Sequence, residues 1–63
     1  MDLIIRINID NEAFQYGQRR LELERIFKKL IDQIENRDLD HGDEIYIKDL
    51  NGNRCGRLTV AGD

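Results

Sequence analysis

Between Gln18 and Asn36 the apolar residues Leu23, Ile26, Phe27, Leu30 and Ile34 fall at i, i+3, i+4, i+7 and i+11. That spacing is one stripe on a helix of 3.6 residues per turn. No Pro or Gly interrupts the stretch, and Glu24 stands four residues before Lys28, as Lys28 does before Asp32. Such pairs give modest support to a solvated helical face. The rest of the chain reads as a small sheet built to cover the stripe.

Leu3, Ile5, Ile7 and Ile9 alternate with Asp2, Ile4, Arg6 and Asn8, the period of a half-buried strand. The odd positions are expected to face the helix, which leaves Ile4 as an apolar anomaly on the outer face. Asp10 and Asn11 are turn or N-cap residues, and Glu12-Ala13-Phe14 suits one short helical turn. A bend near Gly17 lets Phe14 fold back under the end of the sheet. Asp38 to Glu44 is an acidic, turn-rich loop. Ile45 and Ile47 alternate with Tyr46 and Lys48 in a second strand, and Asn51-Gly52 predicts a type I′ hairpin with positive φ at both residues. A third strand runs from about Arg54 to Val60, with Leu58 and Val60 facing the helix and Arg57 and Thr59 outward. Cys55 is out of phase with Leu58, so Gly56 is the expected seat of a bulge that turns both inward. The tail from Ala61 to Asp63 reads as loose. The expectation is a single α+β domain over residues 1–63, of order β-α-β-β. Strand three lies centrally in a three-stranded antiparallel sheet, with one helix packed across one face.

Two stretches taken together carry a resemblance: Ile9-Asp10-Asn11-Glu12-Ala13-Phe14 and Asp49-Leu50-Asn51-Gly52-Asn53-Arg54-Cys55-Gly56. They resemble the two ends of a group of small phage and mobile-element proteins. That group reads as a strand, an "(I/M)DNxAF" turn, an "ARILxKLA"-like helix and a closing "D(I/L)NGNxVG" hairpin. Leu23 to Ile31 occupies the helix slot, and the similarity runs from about Leu3 to Val60. Cys55 departs from the pattern, standing where an aliphatic residue is usual. The resemblance implies a setting, an accessory protein of a bacteriophage or integrated element that binds and redirects host machinery. It carries no catalytic residue across.

Residue chemistry points the same way. The chain has 63 residues, 13 acids against 10 bases and a formal net charge of −3. A balance of this kind describes a well-mixed surface and not a general polyanion binder. The apolar stretch near the N-terminus is too short for a signal peptide, and no apolar run could span a bilayer, so a cytoplasmic setting without membrane contact is expected. Asp38, Asp40, Asp43 and Glu44 with His41 invite a calcium reading. Counting from Asp38, however, the sixth position is Asp43 and not Gly, and the twelfth is Asp49 and not Glu. Cys55 has no CxxC partner and no neighbouring base, which favours a packed, inert thiol. No phosphate-binding glycine loop or nucleophile–base set is present. The expectation is a non-enzymatic protein with no metal and no cofactor.

The outer face of the sheet is then the surface of interest. Ile4, Arg6, Tyr46, Lys48 and Arg57 are expected to share it with Asn8 and Thr59. An aromatic among cations on an open sheet suits an acidic protein partner, a homodimer packed sheet to sheet around Ile4 and Tyr46, or a single-stranded nucleic acid. Lys and Arg on such a face also simply keep a half-exposed sheet in solution. Net negative charge sets nucleic acid behind protein. The leading expectation is therefore a module that binds a host protein, with components of a defence system among the candidates. A nucleic-acid accessory module and a purely structural homodimer are the alternatives. Leu21, off the stripe, is a secondary contact candidate.

Overall fold

The computed structural model describes residues 1–62. Strand β1 (Asp2–Ile7) is followed by a short 3-10 turn (Glu12–Phe14), helix α1 (Arg19–Ile34), and strands β2 (Glu44–Lys48) and β3 (Arg54–Ala61). The sheet order is β1-β3-β2, and both pairings are antiparallel. The expected β-α-β-β architecture with the third strand in the middle is the observed one. β3 extends one residue further than expected, because Ala61 pairs with Asp2; the expectation for Asp63 lies outside the described residues.

Two successive left-handed residues, Tyr16 (φ 58°) and Gly17 (φ 77°), break the chain before α1. A non-glycine residue there is costly, so this bend is held by what flanks it. The Asn11 side chain accepts the Ala13 N–H at 3.1 Å, capping the 3-10 turn. The Gln15 side chain donates to the Asp10 carbonyl at 2.9 Å. The result drives Phe14 into the core, where it is 2% exposed beside Ile26, Leu30, Ile45, Ile47, Cys55 and Leu58.

The hairpin differs from the expected type I′ turn. Of its residues only Gly52 has positive φ (84°). The Gly52 N–H donates to the Asp49 carbonyl, and the Asp49 N–H to the Asn53 carbonyl, which makes a three-residue loop, Leu50-Asn51-Gly52, with glycine in the left-handed position. Asp49 decides this geometry. Its buried carboxylate accepts from the backbone of both Asn51 and Asn53 at 2.9 Å, a local alternative that a two-residue turn could not offer.

The expected bulge is present. Ile47 pairs with Gly56 and Lys48 with Arg54, so Cys55 is the additional residue and turns inward beside Leu58. Gly56 is required by proximity, since a Cβ there would stand 2.1 Å from the Arg6 carbonyl oxygen and 2.9 Å from the Ile7 Cα.

The cover that α1 gives the sheet is narrower than expected. The odd residues of β1 do lie on the helix side, but Leu3 and Ile5 remain 53% and 38% exposed, and only Ile7 is partly covered. Phe27, expected in the core stripe, is 43% exposed. The reason is that α1 lies toward β2. Lys29 and Gln33 sit beside Tyr46, Ile47 and Lys48, and the Arg25 guanidinium donates to the Lys48 carbonyl at 3.1 Å. The buried edge of the stripe is Glu22, Ile26 and Leu30. Phe27, about 100° further round the helix than Ile26, therefore leans off the sheet's covered half.

Because backbone blocks the site at Gly56, Gly56→Ala is expected to cost well over 2 kcal/mol in urea unfolding, on a domain whose whole stability is roughly 3–9 kcal/mol. Gly52→Ala, strained at φ but in open space, should cost only about 1 kcal/mol.

Candidate functional site

The register fixes which side chains share the outer face, because residues directly opposite one another point the same way. Glu44, Thr59 and Ile4 form one cross-sheet row; Tyr46, Arg57 and Arg6 form the next. Lys48 and Arg54 follow at the bulge. The structure thus brings Ile4, Arg6, Tyr46, Lys48 and Arg57 onto one surface, with Ile4 and Tyr46 on its two outer strands.

Arg54 is a member that alternation alone conceals. Counting back from Leu58 by twos places Arg54 inward. The extra residue at Cys55 reverses the phase and sends it outward, where its guanidinium lies 3.7 Å from the centroid of the Tyr46 ring. The Cys55/Leu58 phase conflict was the signal that could have found it. Arg57 is partly neutralised by Glu44, at 3.3 Å between exposed groups. Arg6, Asn8, Asp10, Tyr46, Arg54 and Arg57 are among the residues lining an open groove of about 870 Å³. The face therefore carries Arg6, Lys48, Arg54 and Arg57 in a chain whose net charge is −3. The thiol of Cys55, at the groove's wall, belongs to the core.

Burial holds the Cys55 thiol above its ordinary pKa, and the Asp49 and Glu22 carboxylates add to the effect. A thiol with that environment is a poor nucleophile. In the acidic loop, Asp43 accepts the Asp40 N–H at 2.8 Å and Gly42 donates to Val60 at 2.9 Å. The second bond ties the loop to the end of β3. Among the described residues no three His, Cys, Asp or Glu side chains are placed to hold a metal ion together, and no helix is long and apolar enough to cross a membrane.

Leu21, 51% exposed, lies near Leu50 at the hairpin tip, with Ala13, Gln18, Glu22 and Arg25 around them. Glu22 is the residue that sequence reasoning missed here. Although charged, it is buried, accepts the Leu50 N–H at 2.7 Å and pairs with Arg25. The Arg25–Glu22 hydrogen bond, with the Glu22 charge, raises the Arg25 pKa above its ordinary value. The helix's first turn is thereby bolted to the hairpin.

No protein-family model, curated protein or solved structure matches this chain.

Glu22→Ala leaves the Leu50 N–H without its acceptor and frees Arg25, and is expected to cost about 2–3 kcal/mol in urea unfolding. Glu22→Gln, which keeps an acceptor, should cost roughly half that. Native Cys55 should react with a thiol reagent at least about 100-fold more slowly than in urea, since labelling waits for local opening.

Proposed function

We propose that this protein is a non-enzymatic binding module of a phage or mobile element, and that its outer sheet face docks on an acidic surface of a host protein. The observation that carries this reading is the concentration of Arg6, Lys48, Arg54 and Arg57 around Tyr46 and Ile4 on one open face of an acidic chain. Arginine and tyrosine are the side chains that most often dominate binding energy at protein interfaces. Here the Arg54–Tyr46 stack orders both before a partner arrives, which reduces the entropy lost on binding. Charge complementarity then sets encounter rate and selects an acidic target. The resemblance to phage and mobile-element proteins supports a host target, with defence components as the first class to test.

The groove's three arginines also support a second reading, a single-stranded nucleic acid. Against it, one face of Tyr46 is already covered by Arg54, which removes half of the stacking surface such a ligand uses.

A tagged pull-down from host lysate, wild type beside a Tyr46→Ala/Arg57→Glu variant, separates these readings. The expected result is a protein retained after nuclease treatment, bound again when purified, and lost in the variant. Binding that disappears with nuclease, and whose affinity falls with salt at a log–log slope of about −0.7 per phosphate contacted, would replace the first reading with the second.

A further inference from the structure

β1 is an edge strand with neither bulge nor proline to blunt it. Its pairing with β3 runs without a bulge from Asp2 to Ile7, it contains no proline, and its exposed residues include Leu3 and Ile5 on one face and Ile4 on the other. Natural edges of this kind are normally blunted by charge, proline, bulges or a covering element. The opposite edge is partly guarded, with Arg25 capping the Lys48 carbonyl.

The hydrogen-bond phase shows what this edge can accept. The Asn8 N–H donates to the Cys55 carbonyl at 2.7 Å. By antiparallel alternation Asp2, Ile4 and Arg6 direct their backbone groups to β3, while Leu3, Ile5 and Ile7 direct theirs to the free edge. An added antiparallel strand must therefore set its own free residues against Leu3 and Ile5. A second copy of β1 does so when paired about Ile4: Leu3 of each copy opposes Ile5 of the other. In the same register Asp2 of each copy opposes Arg6 of the other, with the two Ile4 side chains between them. Moving the centre to Ile5 keeps the hydrogen-bond phase but sets Ile4 against Arg6 and Asp2 against Asn8. Charge selects the centre at Ile4. Neither Asp2 nor Arg6 has an ion-pair partner within its own chain among the described residues.

We propose that β1 pairs antiparallel with β1 of a second copy, centred on Ile4, so that two three-stranded sheets become one sheet of six strands. On the helix side the pairing gathers Leu3 and Ile5 of both copies into one aliphatic patch, flanked by Phe27 and Ile31, which are 43% and 60% exposed in the single chain. Those two residues lie on the flank of α1 opposite Lys29 and Gln33, hence toward β1. On the outer side the two cationic faces become continuous across the two-fold axis, and Tyr46 stays free. The inference does not rest on the proposed host target.

Sedimentation equilibrium of the full chain tests it, on wild type, Arg6→Asp, Asp2→Arg/Arg6→Asp and Ile5→Pro, with circular dichroism to follow folding of each. The wild type is expected to dimerise. Arg6→Asp turns two symmetric attractions into repulsions and should weaken the dimer at least about tenfold, and the double exchange should restore it to within a few-fold. Ile5→Pro removes an N–H that points to the free edge and not to β3, so it should yield a folded monomer. A monomeric wild type at several hundred micromolar, a dimer unmoved by Arg6→Asp, or a double exchange that fails to recover would each overturn the proposal. None of these outcomes bears on whether the Tyr46→Ala/Arg57→Glu variant loses a host protein.

Discussion

The additional residue in β3 organises both sides of the sheet. Cys55 has no partner on β2, and the phase change it introduces turns the thiol into the core and Arg54 out onto Tyr46. It also presses Gly56 so close to β1 that only hydrogen fits where a side chain would be. Core packing, the cationic face and the approach of the first strand thus share one cause. A β3 without the bulge would expose a cysteine and turn an arginine toward the core, away from Tyr46.

The helix is positioned by polar contacts as much as by its stripe. Glu22 receives the hairpin's Leu50 N–H and holds Arg25, which in turn reaches the last carbonyl of β2. These contacts draw α1 over β2 and β3. With only one helix to cover three strands, the far strand is left half clothed, and the apolar residues of β1 and the α1 flank remain in solvent. A chain of 63 residues has little surface to spare for a second covering element.

Much of this was legible in the sequence because periodicity and turn chemistry agree. The stripe containing Ile26 and Leu30, the alternation of Ile45 and Ile47, and the Cys55/Leu58 conflict each had a single comfortable solution. The outer face followed from the same alternation. What escaped were features decided by side-chain bonds to backbone and by the placement of α1. Glu22 reads as a surface acid in the helix pattern, and its burial depends on an N–H supplied 28 residues later. Asn51-Gly52 reads as a two-residue turn, and Asp49 converts it to a three-residue one. Phe27 sits on the stripe by count, yet the lateral placement of α1 leaves it outside. Arg54 required following the bulge one residue beyond the position that announced it.

The strand order also governs how the chain must assemble. β1 and β2 are not neighbours in the sheet; each pairs only with β3, the last strand in sequence. No part of the sheet can form ahead of it, and joining Asp2 to Ala61 closes a loop spanning almost the entire chain. Loop closure of that length is an entropic cost met before its contacts form, which slows folding relative to a domain built of neighbouring pairs. During synthesis β1 is made before the other two strands and waits longest for its partner. Of the three strands it is thus exposed the longest before its partner arrives, a natural target for holding chaperones.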